Sequence, residues 1–353
     1  MDRPVVFNFL CFRDSFKVSL RCSVIYTHKD FQSDRTAVPL HQIWQMKSDK
    51  ELSLRVKAFN QNDEMIYDHT HQSDSFGHFS LKFKTNDNQG KVSYLKLYET
   101  SQKAGIECYV GSFIPENIDF KTQRIIVSDF DKTLVDTKYS TLREVYKSMS
   151  SPIDSFPSIK TSIDILTSRI NEDYLPFILS ASPHFYEKPI RDWLYANKIF
   201  TNRIFLKDYR DAFSFFKGEL AMKDLKAQGF YKLNSLVEIF LLTGAPKQII
   251  LMGDGFEADS IIYLTLRSII TEKMDPIDVW ESVRKIDAFK LTSKQNALFL
   301  NKLYRLQALF STHKAYMSIY IRSPKNQMEQ IKSRVLPCPF LEKQKGIINF
   351  FEA

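Results

Sequence analysis

Two aspartates one residue apart, Asp129 and Asp131, close an apolar run in "RIIVSDFDKTLVD" (Arg124–Asp136). Burying one unpaired carboxylate is costly, and two close together also repel each other. Such a pair needs a cation or solvent to offset that cost. Three further features follow in chain order: "ILSASP" with Ser180 and Ser182, Lys232 in "YKLNSLVEIF", and "IILMGDGFEAD" with Asp254 and Asp259. Together they supply the parts of phosphoryl transfer. One carboxylate can attack phosphorus and split a single displacement into two. The second can protonate the leaving alkoxide and later take a proton from water. Oxygen ligands from two strand ends suit Mg²⁺. A lysine and a hydroxyl can hold the non-bridging phosphate oxygens.

Each feature alone has a plainer reading. Aspartates spaced by one residue occur in solvated turns, a serine at a strand end often caps a helix, and a lone lysine is usually at the surface. Their order, with each acidic site at the end of an apolar run, is what selects chemistry over coincidence.

These residues need a scaffold, and the pattern around them describes one. "RIIVS", "LPFILS", "NRIFL" and "KQIILMG" are short continuous apolar runs, suited to strands buried on both faces. "EKPIRDWLYANK" and "YKLNSLVEIFLLTG" have helical spacing between them. Alternating strands and helices predict a parallel sheet, with ligands beyond the carboxyl ends of its strands. Upstream, "ELSLRVKAF", "HFSLKFK" and "KVSYLKLYE" alternate as strands, joined by polar turns, and predict a small sandwich or barrel. The expected division is a β-rich domain over 1–118, an α/β domain over 119–274 and a helical extension over 275–353. The extension opens well for a helix, with an acid and a proline in "DPIDVWESVRKIDAF".

The motifs and their order, with "ILSASPHFYEKPIRDWL", "NRIFLKDYRD" and "IILMGDGFEADSIIY", resemble the haloacid dehalogenase superfamily of phosphatases. More narrowly, residues 124–270 resemble the catalytic domain of actin-patch-associated phosphatidate phosphatases and their bacterial relatives. The resemblance implies a Rossmann-like parallel sheet of haloacid dehalogenase type, preceded by the β-rich domain. It implies Mg²⁺ as cofactor and hydrolysis of a phosphomonoester through an aspartyl-phosphate, with phosphatidate as the first substrate to test. By the same resemblance Asp129 is nucleophile and metal ligand, and Asp131 is general acid/base with its backbone carbonyl on the metal. Ser180 and Lys232 bind the transferring phosphate, Asp254 ligates the metal, and Asp259 holds the metal's water shell. Thr133 supports the turn, and Ser182 is an alternative to Ser180. His184 and Lys207, at the same edge, are candidate substrate contacts, though capping a helix or holding a loop is an equal reading. Two departures stand out: Gly255-Phe256 replaces the usual Ser-Gly after the fourth-motif acid, and Lys132 stands where a third acid is common.

The 353 residues carry 44% apolar and 25% charged side chains, as ordinary globular chains do. No apolar run reaches the ~20 residues of a bilayer span, and no leader pattern is read at the N-terminus. The four cysteines have no metal-type pairing, so free thiols in the cytoplasm are expected. Of the net charge of +8, residues 275–353 carry an excess of six, with 13 Lys+Arg against 7 Asp+Glu. This excess suits peripheral contact with an anionic membrane, or simply a solvated helical surface. No nucleic-acid partner is expected. Rival readings keep the phosphatase but exchange the lipid for a soluble sugar phosphate or nucleotide, or make the chain a degenerate binding scaffold. His69, His71 and His78 are read as polar turn residues rather than metal ligands.

Overall fold

The computed structural model describes residues 3–27, 51–74, 77–100, 106–119, 123–137, 153–183, 186–207, 228–312 and 314–353. The chain forms two compact units, 1–119 and 120–353.

The first unit is all β. Its strands are β1 (Arg3–Asp14), β2 (Lys17–Thr27), β3 (Ser53–Phe59), β4 (Met65–Gln72), β5 (His78–Lys84), β6 (Tyr94–Glu99), β7 (Cys108–Phe113) and β8 (Glu116–Asn117). They make two four-stranded sheets, ordered β5-β2-β1-β8 and β4-β3-β6-β7. Leu54, Val56 and Ala58 of β3 point inward, as the period-two alternation predicts. One hydrophobic core draws on both sheets: Val18, Leu20 and Val24 from the first, and Leu54, Val56 and Leu97 from the second. The histidines correct the sequence reading, because His69 and His71 lie on strand β4 and not in a turn. His71 Nε2 is 3.0 Å from the Tyr67 hydroxyl, and His78 Nδ1 is 2.5 Å from Ser23 Oγ.

The second unit is built on a six-stranded sheet of β9 (Arg124–Asp129), β10 (Leu175–Pro183), β11 (Ile204–Lys207), β12 (Gln248–Asp254), β13 (Tyr316–Ser323) and β14 (Ile348–Glu352). Every neighbouring pair is parallel, in the order β11-β10-β9-β12-β13-β14. Counted within the unit this is 3-2-1-4-5-6, the doubly wound order whose switch point lies between the first and fourth strands. Here those strands are β9 and β12. Both are buried along nearly their whole length, which explains their unbroken apolar runs.

The described helices are α1 (Lys160–Asn171), α2 (Glu187–Ala196), α3 (Gln228–Thr243), α4 (Asp259–Ile270), α5 (Pro276–Val283), α6 (Ser293–Leu309), α7 (Met328–Ser333) and α8 (Pro339–Gln344). Asp275 caps α5 by accepting the Ile277 amide, with proline at the first turn. Thr292 and Gln295 form a reciprocal capping box on α6.

The expected helical extension over 275–353 is corrected by β13 and β14. Both strands belong to the same sheet as β9 and β12, so this segment completes the α/β unit. Its apolar residues are shared between helices and two strands that only the pairing of β13 with β12, and of β14 with β13, reveals. Among the described residues no helix is long and apolar enough to cross a membrane. All four cysteines are free thiols.

Two outcomes are expected. Ile321 of β13 is fully buried, so Ile321→Ala should lower unfolding stability by about 2–5 kcal/mol, measured by denaturant titration; an effect under about 0.5 kcal/mol would detach β13 from the core. Burial also pushes the Cys22 thiol up to about 12 and the Cys11 thiol still higher. Both should resist alkylation in the native chain and react on unfolding. Because an unfolded thiol ionises near 9, their stabilising effect is complete below that pH and is lost as pH rises toward 12. Denaturant midpoints measured from pH 8 upward will show whether stability declines in that window.

Candidate active site

The strand register brings the predicted motifs to one edge. Leu179 of β10 is level with Asp129 of β9, and Met252 of β12 is level with Ser128. Ser180, Asp129 and Asp254 therefore leave three adjacent strands at the same end. Lys207, half-buried at the end of β11, pairs in register with Pro183 at that edge. His184 lies outside the described residues, as do Asp208 and Tyr209.

After β9 the chain turns sharply. The Phe130 carbonyl accepts the amides of Leu134 and Val135, at 2.9 and 3.2 Å, while the Lys132 amide donates to the Val135 carbonyl at 2.7 Å. Lys132 takes a φ of 57°, a left-handed conformation that costs a non-glycine residue about 1–2 kcal/mol. Thr133 is fully buried, and its hydroxyl donates to Asp129 Oδ2 at 3.2 Å. Its role is thus to orient Asp129, as the expected turn support would, and its hydroxyl is spent on that bond.

The two aspartates have different surroundings. Asp131 Oδ2 accepts from Ser180 Oγ at 2.6 Å and from Ser182 Oγ at 3.0 Å, and Asp131 Oδ1 accepts from Thr137 at 3.3 Å. Both candidate serines therefore converge on one carboxylate oxygen. The Ser182 amide also donates to Ser180 Oγ at 2.9 Å. Asp129 instead faces a lysine. Lys232, 2% exposed in the first turns of α3, lies 3.0 Å from Asp129 Oδ1. That contact is one of charge without hydrogen-bond alignment, so Asp129 Oδ1 is buried and accepts no hydrogen bond among the described residues.

Lys232 also donates to Asp259 Oδ1 at 2.8 Å and to Glu257 Oε2 at 2.9 Å. Glu257 was not singled out from the sequence. The available signal was its place between Asp254 and Asp259 in an acid-rich loop, and nothing in that spacing said it would turn inward. Its other oxygen lies 3.3 Å from Lys132 Nζ, which gives the lysine directly after Asp131 a partner.

The fourth motif is held from within. Asp259 Oδ2 accepts the Asp254 amide at 2.9 Å, and Asp254 Oδ2 accepts the amides of Phe256 and Glu257 at 2.9 and 3.2 Å. Asp254 Oδ1 is buried with no hydrogen-bond donor among the described residues. Gly253 is required here by close approach: a Cβ would stand 2.5 Å from Asp259 Oδ2 and 2.8 Å from the Tyr263 hydroxyl.

The electrostatics follow from this crowding. Burial, with the nearby charges of Asp259, Glu257 and Asp131, holds the Asp129 carboxyl well above its usual range although Lys232 opposes the shift. Burial, then Glu257 and Asp259, push Asp254 up to about 7. Burial pulls Lys232 down, but Asp129, Asp259 and Glu257 outweigh it and fix the ammonium form. Burial likewise pushes Glu257 up, but Lys232 and Lys132 outweigh it and hold that carboxyl below the usual range.

Asp129, Glu257 and Asp259 offer oxygens within 4.8 Å of one another, a buried acidic triad of metal-binding type. The Lys232 ammonium already contacts all three. Of the four expected metal ligands, Asp259 has both oxygens engaged by Lys232 and the Asp254 amide, and Asp131 has both engaged by hydroxyls. Asp129 Oδ1 and Asp254 Oδ1, on neighbouring strand ends, are buried oxygens that accept no hydrogen bond among the described residues.

No family model matches the chain, and no curated protein matches it. Among solved structures the chain is similar to part of a Pnkp1/Rnl/Hen1 complex, with 17% identity and a TM-score of 0.28, covering 44% of this chain and 49% of that one. It is also similar to a calcium-binding mutant of Bacteroides uniformis beta-glucuronidase 2, with 10% identity and a TM-score of 0.24, covering 93% and 34%. A Parabacteroides merdae beta-glucuronidase shows 9% identity and a TM-score of 0.25, covering 89% and 33%. The chain thus spans about half the length of the first and about a third of the other two.

Removing the central cation should be severe. Lys232→Met leaves three carboxylates facing one another and should cost about 3–5 kcal/mol of stability by denaturant titration, as loss of one partner from a buried pair does. A loss below about 1 kcal/mol would mean that the lysine is not what holds the triad.

Proposed function

We propose that the second unit is a Mg²⁺-dependent phosphatase of haloacid dehalogenase type that hydrolyses a phosphomonoester through an aspartyl-phosphate on Asp129. The reading rests on one observation above the others. Two buried carboxylates, Asp129 and Asp254, end neighbouring strands at the switch point of a parallel sheet, each with an oxygen that accepts no hydrogen bond among the described residues, and a lysine held as ammonium lies against Asp129.

In the first step an Asp129 oxygen attacks phosphorus, the bond from phosphorus to the leaving oxygen breaks, and protonated Asp131 delivers its proton to that oxygen. In the second step Asp131 takes a proton from water as the water oxygen attacks the aspartyl-phosphate. The P–O bond to Asp129 breaks, releasing inorganic phosphate and restoring both side chains. The unequal surroundings of the pair favour this division. Asp129 is turned toward Lys232 and steadied by Thr133. Asp131 sits among the hydroxyls of Ser180, Ser182 and Thr137, which can reorient as it gains or loses a proton. Lys232, Ser180 and Ser182 would then meet the phosphate oxygens.

Mg²⁺ would be held by Asp129 and Asp254, with the Asp131 carbonyl, and would neutralise charge gathering on the phosphoryl group. A cation there would also draw Asp129 and Asp254 back to their anionic forms, against the burial that raises both.

Phosphatidate is the substrate favoured by the family resemblance, giving diacylglycerol and phosphate. Purified chain should release phosphate from phosphatidate in mixed micelles with Mg²⁺ and lose that activity on chelation. Asp129→Asn should lower the rate by about 10³-fold or more, as nucleophile deletions do. Turnover of soluble sugar phosphates or nucleotides with none at the lipid interface would move the substrate class. Equal phosphate release by wild type and Asp129→Asn would end the enzymatic reading.

A further inference from the structure

We infer that Arg322 is a positioning residue of the proposed reaction, tying the Asp129–Asp131 turn and the Asp254 loop to one strand, β13. This assignment rests on the phosphatase reading for its kinetic consequence and on geometry alone for the clamp itself.

Arg322 is 5% exposed and lies level with Asp254 in the pairing of β12 and β13. Its backbone carbonyl accepts the Gly255 amide at 3.0 Å, so it holds the loop directly after Asp254. Its side chain reaches the other loop. Nη1 donates to the Lys132 carbonyl at 2.8 Å and lies 3.3 Å from Asp136 Oδ1, while Nη2 donates to the Ala353 carbonyl at 3.2 Å. A single residue thus grips both acidic loops across a sequence separation of 190.

The gripped carbonyl is well chosen. Lys132, directly after Asp131, is the left-handed residue of the turn that carries both acids, and its side chain is held by Glu257. Fixing its carbonyl sets the peptide plane between Lys132 and Thr133, directly after Asp131 and directly before the threonine whose hydroxyl steadies Asp129. The neighbouring segment braces the second loop as well. Arg334 donates to the Gly255 carbonyl at 3.1 Å, and a Cβ on Gly255 would meet Ile331 at 2.8 Å. A planar fork with several donors suits this task, and a lysine makes fewer directed bonds.

The test compares Arg322→Gln and Arg322→Lys with wild type by amide hydrogen exchange and by steady-state kinetics on whichever phosphomonoester wild type turns over. Arg322→Gln should speed exchange at the amides of Lys132, Leu134 and Val135 while leaving β10 and β11 at wild-type protection. It should lower kcat by about 10²-fold with KM within about threefold, as a small misplacement of a reacting group does. Arg322→Lys should fall between the two. Unchanged exchange in the turn overturns the clamp, as does faster exchange spread evenly over the sheet, which marks general destabilisation. If wild type turns over no phosphomonoester, the phosphatase reading fails, and local exchange in the two variants still decides the clamp.

Discussion

Three carboxylates and one ammonium, out of water, set the terms for the second unit. Taking a carboxylate into the interior has a penalty of several kcal/mol unless a partner is placed well. Lys232 is that partner for Asp129, Glu257 and Asp259 at once, at 2.8–3.0 Å. The four residues come from the end of β9, the first turns of α3, the loop after β12 and the first turn of α4. None of these elements can shift without exposing an unpaired buried charge. The cluster therefore acts as a fastener on the fold as well as the electrostatic centre of the site. Its strength also constrains chemistry, since Lys232 anchors Asp129 by charge while Asp129 Oδ1 accepts no hydrogen bond among the described residues.

The parallel sheet makes that arrangement possible. At the switch point, connections leave β9 and β12 toward opposite edges, and the space beyond their carboxyl ends is open to side chains from both. Asp129 and Asp254 fill it from the strands, and Ser180 approaches from β10. The region after residue 275 is part of this architecture. It adds β13 and β14, and two of its arginines, Arg322 and Arg334, bond carbonyls of the acidic loops. The basic character of this stretch is therefore partly internal: Arg322 is buried against the turn that presents the motif acids.

Legibility followed the local strength of the signal. β9, β10, β11 and β12 were readable because strands buried on both faces are continuously apolar. β3, β5 and β6 were readable by strict alternation. β1 was not: a register shift between Phe7 and Leu10, with buried Asn8 at a φ of 49°, breaks its alternation. β4, "MIYDHTHQ", has no buried residue and so no apolar face to detect. β13 and β14 are short strands set among helices, and their membership in the sheet depends on pairing to β12 and to each other, which no local window contains. At the site, the motif residues were nameable from type and order, yet their partners were not. Lys132 was unaccounted for until Glu257 was found 3.3 Å away, and Glu257 itself carried no signal beyond its acidic neighbourhood.

By itself the sequence determined which side chains were available, their order along the chain, and that the acidic motifs end buried strands, because residue type and local periodicity are properties of short windows. Only the tertiary structure decided how charge is shared among them. It joined Lys232 to three acids, gave both serines to Asp131, left Asp129 and Asp254 each with an oxygen lacking a donor among the described residues, and brought Arg322 to the Lys132 carbonyl. Those choices depend on distances of a few ångströms between residues tens to hundreds of positions apart. Coulombic and hydrogen-bond energies vary steeply over that range, so they are settled by packing and not by spacing along the chain.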